Sequence, residues 1–301
     1  MITNFDQMFE QLRSKPKKRL VAAWGVDDHT ISAVYMAVEA GIVEGILVGD
    51  EEMIKKVCAE NNYDITKLTV VNNNNELKSI SQAVDMVNAG EADILMKGLC
   101  STDKYMRGIL NKEKGLLPPK AVLSHVCVVQ NPGYHKLLVI SDIAVIPAPD
   151  LKQKQAMIGY VANTARALGV EKPKVAMITA TEQMLPGMPA CVEAAMLAKM
   201  SDRGQIAGCV VDGPLALDVA LCKEAAEIKK LKSEVAGDAD CCVFPSIEAA
   251  NVFYKFAGHF CPGVKMAAMV AGAKAPCVLS SRADSTETKL NSIALAALTA
   301  K

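Results

Sequence analysis

Residues 19–48, RLVAAWGVDDHTISAVYMAVEAGIVEGILV, decide the fold class. Residues 19–23 form a short apolar run of strand length. Residues 28–40 carry apolar side chains at helical spacing. Gly41 follows, where a helix can end in the left-handed conformation that glycine adopts at little cost. Ile46-Leu47-Val48 is then a second strand-like run. Strand, helix and strand within about thirty residues make one crossover unit of a parallel sheet.

Working outward, the alternation continues. Strands are predicted at 68–71 and 93–96, and helices from Asp50, over 79–89 and over 102–110. Gly115-Leu116-Leu117-Pro118-Pro119 interrupts it, because a double proline fits neither a helix interior nor a central strand. A domain crossing is placed there. Asn131-Pro132-Gly133 reads as a turn between strands 124–129 and 137–140, which makes that pair a candidate antiparallel hairpin. Further strands are expected at 174–178, 206–211, 241–244, 266–270 and 277–279. Helices are expected at 151–168, 189–200, 216–228, 247–259 and 285–298. The fold class is α/β with mostly parallel sheets covered on both faces. A short echo, Ala89-Gly90-Glu91-Ala92-Asp93 and Ala236-Gly237-Asp238-Ala239-Asp240, reads in both places as a glycine ending a helix and an aspartate entering a strand.

Composition narrows the function. Lys plus Arg and Asp plus Glu number 33 each among 301 residues, so no global basic field exists to hold nucleic acid or an anionic membrane. The one basic cluster, Lys15 to Arg19, reads as a solvated strand entrance. The first thirteen residues are polar and acidic and hold no apolar signal region. No apolar run reaches the roughly 20 residues of a membrane span. Ten cysteines without a C-x-x-C read as buried small hydrophobes in a reducing compartment. The expectation is a cytoplasmic protein with small-molecule substrates, no nucleic-acid partner and no membrane partner. Phosphate-loop, dinucleotide, serine-hydrolase and zincin motifs are all missing from the sequence. The four histidines lack metal spacing. His125, opening a strand near the crossing, is the least bland of them.

Two strand ends carry anion chemistry. In residues 273–285 an apolar strand runs into Ser280-Ser281-Arg282, and a helix follows at once. Backbone N–H groups and the helix dipole favour an anion at such a place, and Arg282 adds a planar donor fork suited to phosphate. Asp284 and Glu287 fit a capping box for that helix, with Asp284 as N-cap and Glu287 reaching back. At the second strand end, Lys97-Gly98 precedes Ser101-Thr102 and a helix bearing Arg107. Either Lys97 and Arg107 converge on an anion, or Arg107 is an exposed helix residue.

At these residues the chain resembles the phosphate acetyl/butyryl transferase family, over nearly its whole length and closest to the butyryl branch. The carrying segments include 92–99, 123–126, 148–151, 200–206, 211–218, 235–240, 247–255 and 272–285. The resemblance implies two α/β domains with an active-site cleft between them, similar to the isocitrate/isopropylmalate dehydrogenase architecture. Residues 1–118 plus 272–301 would form the first domain and 119–271 the second. It implies exchange of a short-chain acyl group between coenzyme A and inorganic phosphate, with coenzyme A as substrate, no permanently bound cofactor, no metal, and a homodimer or larger homo-oligomer. Ser281 and Arg282 match the active-site serine-arginine pair of the acetyl branch, and Arg107 matches its phosphate-binding helix arginine. Lys97 joins Arg107 and Arg282 as a phosphate ligand. Thr288 stands where the acetyl branch has a catalytic aspartate, so the base is Asp284, Glu287 or another group. No residue is assigned to coenzyme A. Cys100, beside Lys97, is the cysteine to test for an acyl-enzyme. An acetyl-specific transferase and a catalytically silent CoA- or phosphate-binding protein of the same fold remain as alternatives.

Overall fold

The computed structural model describes residues 1–279 and 284–301. The chain divides into two compact units, one of residues 5–123 and 267–301, the other of residues 1–4 and 124–266. In the first, α1 (Phe5–Arg13) leads to β1 (Lys18–Ala23), α2 (Asp28–Glu39), β2 (Val43–Gly49), α3 (Glu51–Glu60), β3 (Leu68–Asn72), α4 (Glu76–Asn88), β4 (Ile94–Lys97) and α5 (Thr102–Ile109). The second carries β5 (Ser124–Gln130), β6 (Leu138–Ser141), α6 (Leu151–Ala167), β7 (Lys174–Ile178) and α7 (Pro189–Asp202). It continues with β8 (Val210–Leu215), α8 (Leu217–Leu221), α9 (Lys223–Ile228), β9 (Cys241–Val243) and α10 (Ile247–Phe260). The chain returns to the first unit through β10 (Lys265–Ala271), β11 (Cys277–Val278) and α11 (Thr286–Thr299).

Strands of the first unit lie in the order β3-β2-β1-β4-β11-β10 and are parallel apart from β10 against β11. Those of the second lie in the order β5-β6-β9-β7-β8, with β5 against β6 the antiparallel pair anticipated from the turn at 131–133. The fold is α/β, with mostly parallel sheets. β1, β2 and β4 are buried along most of their length, which is why they read as unbroken apolar runs and not as alternating ones. Gly41 ends α2 as expected, with φ +75°. Its N–H donates to Val38 O at 2.9 Å and that of Ile42 to Ala37 O at 3.1 Å, which satisfies two carbonyls of the last turn.

Four expectations are corrected. A helix, α1, occupies the N-terminal segment that reads as merely polar. It buries Phe5, Met8 and Leu12 on one face and packs on α11, whose residues 291–297 are all buried. The strand predicted at 206–211 lies at Val210–Leu215, because Gly204 and Gly208 both have positive φ and hold the preceding segment in turns. The helix predicted at 216–228 breaks into α8 and α9 at Cys222, whose φ of −111° and ψ of 117° are extended. Gly237 ends no helix, since α9 stops at Ile228; it makes a free-standing turn with φ +78°.

Candidate active site

Within the first unit, β1 has β2 on one side and β4 on the other. The chain runs from β1 outward to β3, and α4 carries it back to β4. The loops after β1 and β4 therefore part at the switch point of the sheet, where open α/β proteins bind ligands at the carboxyl ends of the strands. The register Ala23↔Lys97 sets the two strand ends level. Their loops are stitched together: Gly98 N–H donates to Ala23 O at 3.0 Å and Leu99 N–H to Trp24 O at 2.9 Å. A Cβ on residue 98 would lie 2.2 Å from Trp24 O, so only glycine permits this approach. Two helices begin at this edge. Asp27 caps α2 by accepting from Thr30 N at 3.1 Å, and Ser101 caps α5 by accepting from Lys104 N at 3.2 Å.

Lys97 is half-buried at the end of β4. Its ammonium donates to Gly98 O at 3.1 Å and Cys100 O at 2.9 Å, which holds a positive charge at the mouth of the switch point. Cys100 is buried. Burial pushes its thiol pKa up, more than the Lys97 charge pulls it down. The thiol therefore stays protonated and is a poor nucleophile, which argues against an acyl-cysteine there. Arg107 is not brought to Lys97 by any described contact. Its guanidinium is exposed and pairs with Asp103, one turn earlier on α5, at 3.0 Å.

The other candidate strand end arrives beside this loop. β11 runs parallel to β4 with Val278↔Met96 in register, so the chain leaves the sheet next to Lys97. Ser281 and Arg282 lie outside the described residues. Asp284 is half-buried, and Glu287 is exposed in the first turn of α11. The predicted capping box is displaced by one residue. Ser285, not Asp284, is the N-cap: it is extended, with ψ 159°, and its Oγ accepts from Thr288 N at 3.1 Å. The third helical position is then Thr288, whose hydroxyl lies 3.0 Å from that of Ser285. Asp284 is thus released from the N-cap role, and Thr288 is committed to capping.

In the second unit, sequence reading missed Asp142. This residue follows β6, is buried, and accepts four backbone N–H groups: His125 at 3.1 Å, Ala144 and Val145 at 2.8 Å each, and Ile146 at 3.3 Å. The carboxylate shapes the loop between β6 and α6. That loop is also bound to α10, through Asn251 Nδ2 to Ile143 O at 3.0 Å and Ile247 N to Pro147 O at 3.0 Å. His125, singled out from sequence, is buried on β5 and supplies only its backbone to this nest in the bonds described. Sequence alone does not announce this nest, because one of its donors comes from β5 and the other three from the loop after β6.

Doubly wound units, a lysine at a switch point and an anion-suited strand end beside it describe a protein that handles small anionic substrates. The sequence matches the family described as "Phosphate acetyl/butaryl transferase" over residues 4–85 and 75–297. The phosphate butyryltransferase of Clostridium acetobutylicum is 45% identical over 300 residues, all of this chain and 99% of that protein. The phosphate acetyltransferase of Thermotoga maritima is 42% identical over 97% of this chain and 98% of its own length. Among solved structures, a branched-chain phosphotransacylase from Enterococcus faecalis superposes with a TM-score of 0.82 at 30% identity, covering 94% of this chain and 98% of that one. The chain belongs to the phosphate acetyl/butyryl transferase family.

Proposed function

We propose that the chain exchanges a butyryl group between coenzyme A and inorganic phosphate: butyryl-CoA plus phosphate gives butyryl phosphate plus CoA. The observation that carries this reading is the full-length likeness to a phosphate butyryltransferase, joined to a lysine-bearing switch point beside which β11 ends. In the direction of thioester synthesis, a base takes the proton of the CoA thiol, since the thiolate is the nucleophile. The C–S bond forms as the bond from the acyl carbon to the phosphate oxygen breaks, and phosphate leaves with the electron pair. Arg282, Lys97 and Arg107 hold the phosphate and offset its charge. Arg107 exchanges Asp103 for substrate on doing so. Ser281 hydrogen-bonds the thiol or the developing oxyanion. Asp284 is the stronger candidate for the base, because it is half-buried and off the helix cap; Glu287 is the second. Holding two bound substrates in line supplies much of the rate. The protein acts in the cytoplasm as a homodimer or larger assembly.

The 42% likeness to a phosphate acetyltransferase favours acetyl transfer as the second reading. Comparing kcat/KM for phosphate-dependent cleavage of butyryl-CoA and acetyl-CoA decides between them. A ratio above one supports the butyryl reading and a ratio below one the acetyl reading. For the base, Asp284→Asn is expected to lower kcat on the order of a hundredfold and remove the acidic limb of its pH profile. An unchanged profile, with Glu287→Gln inactive, moves the role to Glu287.

A further inference from the structure

Among the described residues, the largest fully buried side chain is that of Tyr105 on α5. Only Ile109 is buried with it on that short helix. A hydroxyl at such depth is unfavourable unless it is hydrogen-bonded, and phenylalanine would fill the space without that cost. The Tyr105 hydroxyl meets two main-chain carbonyls, Leu95 O at 3.2 Å and Val278 O at 3.3 Å. Both distances are longer than a single O–H···O bond, as expected where one proton is shared between two acceptors. Burial pushes the phenol pKa far above its ordinary value, so the group stays a donor.

The two carbonyls belong to different strands of one unit. Leu95 lies in β4, two residues before Lys97. Val278 ends β11, three residues before Ser281. β11 has two residues and makes only a short ladder with β4, Cys277↔Leu95 and Val278↔Met96. The Tyr105 hydroxyl adds a link where this ladder runs out, and the same side chain seats the first turns of α5 against both strands. Closed to solvent, the phenol can touch neither phosphate nor thioester; it acts through the strand ends that it joins.

We propose that Tyr105 is a positioning residue for phosphate: its hydroxyl fixes the spacing between the end of β4, which carries Lys97, and the end of β11, from which the chain runs on to Arg282. The inference rests on the phosphate role proposed above for those two strand ends. A phosphate held between two cations is sensitive to their separation, because displacements of about 1 Å are costly in a preorganised site.

The test is Tyr105→Phe in the full chain, followed by CoA release from butyryl-CoA at varied phosphate. The ring stays, so the circular dichroism spectrum is expected to be unchanged. The KM for phosphate is expected to rise about tenfold, the order of one lost hydrogen bond, while the KM for butyryl-CoA stays within about twofold. Tyr134→Phe is the control. It also removes a hydroxyl bound to a main-chain carbonyl, Ala239 O at 2.6 Å, in the other unit. It is expected to leave the KM for phosphate unchanged, so that general loss of stability is told apart from misplacement. A second readout needs no turnover: phosphate is expected to raise the urea midpoint of wild type and to raise that of Tyr105→Phe less. A Tyr105→Phe variant with the wild-type KM for phosphate, or a KM raised equally by Tyr134→Phe, overturns the proposal while phosphate-dependent release by wild type leaves the transferase reading standing. Wild type that releases no CoA in response to phosphate overturns both.

Discussion

Residues 89–93 in one unit and 236–240 in the other solve the same problem with different chemistry. Asp93 N–H donates to Arg19 O at 2.8 Å while its carboxylate accepts Arg19 N–H at 2.8 Å. Asp240 repeats this with Lys174, at 2.9 and 2.8 Å. Each aspartate thus fastens the entrance of its strand to the entrance of a parallel neighbour. The cations differ. Arg19 reaches back to Asp93 with two nitrogens, at 3.1 and 2.9 Å, from a side chain 38% exposed. Asp240 instead holds Lys136 at 2.6 Å, with side chains 7% and 6% exposed, and Asp238 adds Lys136, Lys174 and His135 to the cluster. The same five-residue pattern therefore carries a solvated clamp in one unit and, in the other, an ion network built on a buried Lys136–Asp240 pair. A repeat in sequence fixes backbone geometry; its energetic weight depends on which cation the fold delivers, and how deeply.

The largest effect expected from this contrast is the loss of a buried charge. Lys136→Met leaves buried Asp240 without its cation and should cost about 3–5 kcal/mol in urea unfolding, whereas Asp240→Asn should cost less, because Lys136 keeps Asp238 at 2.9 Å. Arg19→Ala, by comparison, should cost about 1 kcal/mol or less. Equal costs would erase the distinction between the clamps. Next come the two glycines, both at positive φ, 72° and 78°. Gly90→Ala meets nothing within 4 Å and should cost the left-handed strain alone, about 1–2 kcal/mol. Gly237→Ala should cost more, because its Cβ would lie 2.7 Å from Lys223 Cα. Smallest is the acid response of Asp238. Burial raises its pKa, but hydrogen bonds from Lys174 and Lys136 outweigh that and bring it to about 2. A depressed carboxylate contributes stability that is present above its unfolded pKa of about 4 and lost as pH falls through about 2. Asp238→Asn should therefore flatten the fall in stability between those values, as followed by urea midpoints.

What the sequence disclosed follows the same division between local and delivered features. The parallel α/β class, the hairpin at 131–133 and the helix stop at Gly41 are written in short runs and single residues. α1 was hidden because its stripe of Phe5, Met8 and Leu12 is short and gains its value from α11, far along the chain. The strand at Val210–Leu215 was misplaced because Asp212-Gly213-Pro214 looks like a turn, while Ile206 to Cys209 looks like a strand. At the candidate site, Lys97 was legible as a strand-end cation next to a helix start. The shift of the α11 cap from Asp284 to Ser285 was not, since aspartate and serine cap equally well and only backbone geometry chooses between them. Asp142 was missed for a third reason: three of its donors are the N–H groups of residues 144–146, which carry no side-chain signature, and the fourth, of His125, is brought to it only by the pairing of β5 with β6.

The central claim is phosphate-dependent acyl transfer centred on the strand end that carries Arg282. It is tested most directly by following CoA release from butyryl-CoA with a thiol-reactive dye, with and without phosphate, for wild type and Arg282→Ala. The account predicts fast release by wild type only when phosphate is present. For Arg282→Ala it predicts a fall of about a hundredfold or more in kcat/KM, as expected on removing a residue that stabilises transition-state charge. Folded wild type that releases no CoA from butyryl-CoA or acetyl-CoA in response to phosphate contradicts the transferase reading, and an Arg282→Ala variant as fast as wild type contradicts the placement of the site.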